Sequence, residues 1–315
     1  METGPFKLLV IDALSHAALI ADGPSGEILT ELPLPRGYSA VDLAVSTDFR
    51  TACISLGRDD GTGSLRLLDL KSHTLDSSSP LIPYPAKVCL SPVGQTVYLA
   101  DRAGALYALA LGTCALTGWK KPHGAGACAG LACDGETVYG AWESASGGVL
   151  ASYDPTGGIT AEHAIGGIPT NLILDRGRLF IPFTATAFSG EGVCFLTPGQ
   201  NDGPGAVVLL QCSRCSAVAK AYPIHVAVDP AKQVAYVSCE DNATIGVIDI
   251  AAARLLAGFS LGRSVSRLTL LPDRRFAVAS SNMFADLCLV DLVNRRPFSF
   301  TATKREILSP LAIIE

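Results

Sequence analysis

A short strand pattern recurs seven times along this chain of 315 residues, and it restricts the possible folds more than any other feature. In each copy one residue precedes a mostly apolar stretch, as His225 precedes Val-Ala-Val. We call this the repeat position; it is occupied by Asp42, Lys87, Gly130, Asn171, His225, Arg267 and Ala312. The spacings are 45, 43, 41, 54, 42 and 45 residues, with a mean of 45. This period is typical of the blades of a β-propeller.

The copy at residues 222–262 indicates what one repeat contains. Four short alternating segments are separated by turn signals such as Asp-Pro and Glu-Asp-Asn. They are His225–Val228, Ala235–Ser238, Thr244–Asp249 and Arg254–Ser260. The stretch IAAARLLAG at 250–258 favours a helix by composition, but the repeat places a turn and a fourth strand there. We therefore predict blades of four strands each.

The two ends of the chain supply the missing parts of one blade. The first 41 residues hold three strand segments without a repeat position, Lys7–Asp12, Ala17–Ala21 and Glu27–Leu32. The last copy, at 310–315, ends the chain. The sequence predicts one all-β domain over residues 1–315, a seven-bladed β-propeller with blade 1 split between 1–34 and 307–315. Pairing the C-terminal strand with the three N-terminal strands would close the ring and remove the exposed sheet edges. Two stacked β-sandwich domains are the alternative.

Composition excludes several classes of protein. The chain is 49% hydrophobic and 17% charged, which suits a large core and not a disordered chain. Its net charge of −5 and aromatic content of 7% argue against a nucleic-acid partner. No stretch approaches the roughly 18 apolar residues of a membrane helix. Asp12 cuts the N-terminal apolar run too short for a signal peptide. We expect a cytoplasmic protein without a membrane or nucleic-acid partner.

Three segments of the 222–262 copy, PIHVAVDP, AYVSC and GVIDI, match a known repeat signature. The copy resembles the YVTN-type β-propeller repeat, although Cys239 stands where that repeat has Asn. It is also similar to the repeat of seven-bladed lactonase-like propellers, in which a histidine often occupies the place of His225. The resemblance implies the fold. Its families include lactonases, quinoprotein-like redox domains and binding scaffolds, so it does not select a function.

The repeat position is also the main candidate for a functional site. The first strand of each blade lines the central channel, so this position should lie near one mouth of the channel. Five polar residues occupy it: Asp42, Lys87, Asn171, His225 and Arg267. A second polar position, after the second strand, holds Glu143 and Glu240. These side chains are polar either because the channel is wet or because they hold a ligand. In the second case Lys87, His225 and Arg267 would bind an anion such as a carboxylate or phosphate.

Aspartate recurs before turns. Five aspartates, each in a different blade, are interpreted as turn-capping residues at the end of the third strand: Asp12, Asp69, Asp154, Asp249 and Asp291. An aspartate side chain accepts hydrogen bonds from backbone N–H groups two residues on, which stabilises a tight turn. A catalytic acid is not needed in five blades, so we assign them no chemistry.

The ten cysteines have no disulfide framework spacing and are expected to be buried thiols. Cys212 and Cys215 form the only Cys-x-x-Cys, within the longest repeat interval. Zinc usually needs four ligands, so no metal is predicted. Inert thiols and a redox-active disulfide remain the two interpretations of this pair. No nucleotide or haem motif occurs, and no cofactor is predicted.

The first functional hypothesis is a cytoplasmic, non-enzymatic binding module or interaction scaffold. Its channel-mouth face would bind a protein partner or a small anionic ligand. The alternative is a lactonase-like hydrolase that acts on a small anionic lactone or sugar derivative. Asp42 or Glu240 would then activate water beside a positive group that faces the oxyanion. The residues alone leave open whether the protein is an enzyme.

Overall fold

The computed structural model describes residues 6–12, 16–23, 25–76, 81–92, 95–135, 137–186, 190–198, 206–210, 221–281, 286–302 and 311–313. Strands in these ranges form seven antiparallel sheets, one per blade, most of them four-stranded. The predicted all-β, seven-bladed propeller is confirmed. Among the described residues, no helix is long and apolar enough to cross a membrane.

The first three blades follow one another along the chain. Blade 1 contains β1 (Lys7–Asp12), β2 (Ala17–Asp22) and β3 (Ile28–Pro33). Blade 2 contains β4 (Ser39–Val45), β5 (Thr51–Gly57), β6 (Thr62–Asp69), β7 (Thr74–Leu75) and β8 (Ile82–Pro83). Blade 3 contains β9 (Pro85–Leu90), β10 (Thr96–Asp101), β11 (Leu106–Ala110) and β12 (Ala115–Trp119).

The remaining blades repeat this order. Blade 4 contains β13 (Cys128–Cys133), β14 (Val138–Ser144), β15 (Gly147–Tyr153) and β16 (Ile159–Ile165). Blade 5 contains β17 (Ile168–Pro169), β18 (Ile173–Asp175), β19 (Arg178–Thr184), β20 (Gly192–Leu196) and β21 (Ala206–Leu209). Blade 6 contains β22 (Pro223–Asp229), β23 (Val234–Cys239), β24 (Thr244–Asp249) and β25 (Arg254–Ser260). Blade 7 contains β26 (Arg267–Leu270), β27 (Phe276–Ser280), β28 (Asp286–Asp291) and β29 (Arg296–Ala302), and β30 (Leu311–Ile313) follows it.

The short strand β30 lies antiparallel to β1, so that blade 1 has the order β3-β2-β1-β30. Three residue pairs define the register: Lys7 with Ile313, Leu8 with Ala312, and Leu9 with Leu311. The strand order agrees with the expected split of blade 1. The idea that this contact closes and stabilises the ring stays a prediction.

The apolar core lies between neighbouring blades. Ile245 of blade 6, for example, packs in one cluster with Leu268 and Val290 of blade 7. Between blades 3 and 4, the Trp119 ring stacks on the Tyr153 ring with 5.8 Å between centroids. Both faces of a strand are therefore used for packing, and only the inner edge of the innermost strand is left to line the channel.

The turn-capping interpretation holds for four of the five aspartates. Asp69, Asp154, Asp249 and Asp291 each accept hydrogen bonds from backbone N–H groups two to four residues on. The backbone hydrogen bonds from Ser72 and Lys71 lower the pKa of Asp69. The placement at the end of a third strand is wrong for Asp12, which ends the second strand of its blade. The innermost strand of blade 1 is β30, from the other end of the chain, so β1 is the second strand of the blade. The turn-capping role of Asp12 stays a prediction.

Deleting residues 307–315 removes β30 and leaves the edge of β1 without its partner. We expect a lower melting temperature or aggregation, because unpaired N–H and C=O groups template association with other chains. Circular dichroism melting and light scattering measure both effects. Deleting only residues 314–315 is the control, since β30 then remains. A chain lacking 307–315 that stays monomeric with an unchanged melting temperature would refute closure by this strand.

Candidate functional site

Four innermost strands carry a β-bulge at the same place. In blade 2, Ala40 pairs with Leu56 and Asp42 with Ser55, so Val41 is the extra residue. The extra residues in blades 3, 4 and 6 are Ala86, Ala129 and Ile224. Each lies directly before the repeat position of its blade. A bulge redirects the local side chains and increases the twist of the strand. Positions that would otherwise face a neighbouring blade can then reach the channel.

Blade 5 opens its innermost strand more widely at this place. β17 ends at Pro169 and β18 begins at Ile173, and Thr170 and Asn171 lie in the gap. The Thr170 hydroxyl donates to the Pro223 carbonyl of blade 6 at 2.6 Å. The Asn171 Oδ1 accepts from the Leu172 N–H at 2.8 Å. These two bonds replace the ladder contacts that the break removes.

The repeat positions converge on one cavity of about 240 Å³. It is lined by Ile11, Ala40, Val41, Asp42, Leu43, Lys87, Thr170, Asn171, Ile224, Ser266 and Arg267. Four of the seven predicted site residues therefore meet here, namely Asp42, Lys87, Asn171 and Arg267. They come from blades 2, 3, 5 and 7. Gly130 fills the repeat position of blade 4, where a Cβ would collide with the Leu172 backbone nitrogen.

An ion pair crosses the cavity. The Arg267 Nη2 lies 3.3 Å from the Asp42 Oδ1, with side chains 27% and 9% exposed. The second Asp42 oxygen accepts from the Val88 backbone N–H at 3.1 Å. The Asp42 carboxylate thus joins blade 2 to blade 3 on one side and to blade 7 on the other. Blade 1 lies between blades 7 and 2, and its repeat position is Ala312.

Lys87 is the unbalanced charge of the cavity. Its side chain is half-buried, and among the described residues its ammonium makes no hydrogen bond or ion pair. Asp42 and Arg267 neutralise each other, so Lys87 leaves the lining with a net positive charge. A partly buried cation without a counter-ion favours an anion in the adjacent space.

His225 lies beside the cavity and does not line it. The residue as a whole is partly exposed, but its Nδ1 atom is buried and has no hydrogen-bond partner among the described residues. Burial, and then the charges of Arg267 and Lys87, lower the pKa of His225 to about 3. The imidazole is therefore neutral near pH 7, with one nitrogen as donor and the other as acceptor.

The two predicted glutamates lie outside the cavity. The Glu240 Oε1 accepts from the Ser266 hydroxyl at 2.7 Å, and Ser266 lines the cavity. Glu143 is exposed and lines no part of it. After burial, the charges of Glu240, Asp241 and Glu143 raise the pKa of Tyr222. The charges of these acids therefore act on Tyr222.

The cysteines divide into two groups. Cys212 and Cys215 lie outside the described residues. The described cysteines are free thiols, most of them buried. Burial is the main cause that raises the pKa of Cys128 and of Cys239 to about 12, so neither is a ready nucleophile. Within the described ranges, no group of three or more His, Cys, Asp or Glu residues could hold a metal ion.

Sequence reasoning missed the groups that support the cavity. Thr170 and Ser266 line it, and serines oppose three of the repeat positions. The Ser55 hydroxyl, for instance, accepts from the Asp42 backbone N–H at 2.9 Å, which the bulge leaves without a strand partner. Alignment of the second strands would have revealed these serines: Ser55, Ser238 and Ser280. Prolines two residues before the repeat position also signal an irregular strand: Pro85, Pro169, Pro223 and Pro310.

No family model matches the chain, and no curated protein matches it in sequence. Solved structures match it in fold. Apo AztD from Citrobacter koseri aligns with a TM-score of 0.69 and 12% identity, over 98% of this chain and 98% of that one. The dihydro-heme d1 dehydrogenase NirN in complex with DHE aligns with a TM-score of 0.65 and 14% identity, over 96% of this chain and 74% of that one. Kuenenia stuttgartiensis hydrazine synthase aligns with a TM-score of 0.66 and 14% identity, over 88% of this chain and 89% of that one. Likeness at such identities shows the propeller fold alone.

The low pKa of His225 predicts a pH dependence of stability. The unfolded chain binds a proton at this residue below about pH 6.5, whereas the folded chain resists it until about pH 3. Stability should therefore fall as the pH drops from 6.5 towards 3. The variant His225→Gln should lose less stability as the pH falls. The melting temperature of the variant minus that of the wild type should therefore increase when the pH is lowered from 7.5 to 4.5. Fluorimetric melting measures the difference, and a constant difference across that range would contradict the prediction.

Proposed function

We propose that this propeller is a non-enzymatic binding module that holds a small anionic ligand, of the carboxylate or phosphate class, in the channel-mouth cavity. The observation that carries the proposal is the half-buried Lys87 ammonium, which has no counter-ion among the described residues and faces the same space as Arg267. The volume of about 240 Å³ suits a small ligand.

Several groups around the cavity suit an anion. The contact to Asp42 uses one nitrogen of the Arg267 guanidinium, which carries five N–H donors in all. Asn171 engages its oxygen with Leu172, which leaves its amide N–H donors for a ligand. His225 is neutral and can donate one N–H. Hydrogen bonds from charged donors to an oxyanion are about twice as strong as neutral ones.

Hydrolysis receives less support from the same contacts. A lactonase-like reaction needs a carboxylate or imidazole that is free to accept a proton from water. Asp42 is held by Arg267 and the Val88 N–H, and Glu240 is held by the Ser266 hydroxyl. A pKa of about 3 makes His225 a weak base. We retain the YVTN-type and lactonase-like resemblance as a proposed relationship of the repeat, not as a proposed activity.

Lys87→Met tests the site directly, because it keeps the length of the side chain and removes the charge. We expect anion affinity to fall about tenfold or more, from the loss of one charged hydrogen bond. Calorimetric titration with inorganic phosphate and with short carboxylates measures the change at low salt. Lys71→Met, which removes an exposed charge in the turn after β6, is the matched control. Equal affinities of both variants would refute the proposal.

Asp42→Asn separates anion binding from hydrolysis. The asparagine oxygen can still accept from the Val88 N–H, while the negative charge beside Arg267 is lost. Anion affinity should rise about threefold to tenfold, since one exposed or half-buried charge contact is worth that much. In the same titrations, a loss of binding would contradict the proposal. Turnover of a lactone by the wild type that Asp42→Asn abolishes would favour the hydrolase.

A further inference from the structure

The channel-mouth end of blade 3 carries a cluster of exposed cations, which we call the basic rim and define as Arg102, Lys120 and Lys121. Arg102 lies in the turn between β10 and β11, and the two lysines follow β12. The cluster is therefore built by two connections that meet on one face of one blade. It is separate from the cavity, whose lining contains none of these residues.

Two of the three cations are held in place. The Arg102 Cζ lies 3.6 Å from the centre of the Tyr84 ring, a cation–π contact. The same ring packs so closely on Gly57 that a Cβ there would overlap it. The Lys121 ammonium donates to the Ala103 carbonyl at 2.8 Å, directly beside Arg102. Ordering these long side chains in advance lowers the entropic cost of binding a partner.

The three cations of the basic rim are not neutralised by ion pairs within the part of the chain that the structure describes. The adjacent acid, Asp101, points its oxygens into its own turn, where they accept from the Ala103 N–H, the Ala105 N–H and the Tyr107 hydroxyl. The positive charge of the rim is therefore presented to solvent.

The same face is acidic elsewhere. Glu143 of blade 4 and Glu240 and Asp241 of blade 6 are close enough to Tyr222 for their charges to raise its pKa. The basic rim of blade 3 and these acids of other blades would orient a partner that carries one concentrated negative segment. The acids would also repel an extended polyanion such as a nucleic acid, which presents phosphates all along its length.

We infer that the basic rim is a docking surface for an acidic segment of a partner protein. The cations are exposed and spread over two connections, so they offer several separate contacts and no enclosed space for a single small ion. Glutamate and aspartate side chains along an extended segment match that arrangement. This inference does not depend on the proposed anion site in the cavity.

A fluorescent peptide of alternating glutamate and glycine is the probe, with anisotropy measured at low and at physiological salt. The variant is Arg102→Ala, Lys120→Ala and Lys121→Ala combined. The control combines Lys71→Ala, Arg295→Ala and Arg296→Ala, which removes the same charge from exposed residues at the opposite ends of the blades. We expect about tenfold weaker binding for the rim variant, a smaller salt dependence, and unchanged binding for the control.

Three outcomes would overturn the inference: no binding of the peptide to the wild type, equal weakening by rim and control variants, or equally tight binding of an oligonucleotide of the same charge. Displacement of the peptide by millimolar inorganic phosphate would also overturn it, since the rim would then be a simple anion site. The rim variant should leave phosphate binding in the cavity unchanged, because the cavity lining contains none of its three residues. Failure of the cavity proposal and failure of this one are thereby distinguishable.

Discussion

The bulge in the innermost strands is the constraint on which the rest of the site depends. Side chains of a regular strand alternate between its two faces, and in this ring both faces are packed against neighbouring blades. A polar residue on such a strand would be buried in an apolar core at a large cost. One extra residue breaks the alternation at the same level in four blades. Charged side chains can therefore reach the channel without disturbing the core.

The period of the repeat was sufficient to predict the blades and four residues of the cavity, since strand register fixes which positions share a level. It could not reveal the partners of those residues. The Asp42–Arg267 pair joins residues far apart in the sequence, and they lie in two blades that are not consecutive along the chain. Glu143 illustrates the opposite failure: it lies near the end of β14, at the expected level of its blade, yet it is exposed and lines no part of the cavity. Asp12 was misplaced because the split blade begins with its second strand.

The charges of the cavity say more about the function of this chain than its fold does. Proteins as different as AztD, NirN and hydrazine synthase share the propeller with this chain at 12–14% identity, so the fold leaves the function open. The charges are specific to this sequence. Asp42 contacts Arg267 and a backbone N–H at once. In the proposed anion site, the same carboxylate would also weaken the attraction of the cavity for an anion.

Rings of repeats usually unfold piecemeal, because each unit touches only its two neighbours and the total stability is a sum of local terms. The contact between blades 2 and 7 is an exception, since blade 1 separates them. The ion pair links two blades that are both neighbours of blade 1, in which the first and last strands of the chain pair. We therefore expect local opening of blade 1 to disturb the Asp42–Arg267 contact between the blades on either side of it. Such a coupling would make the unfolding of these three blades more cooperative.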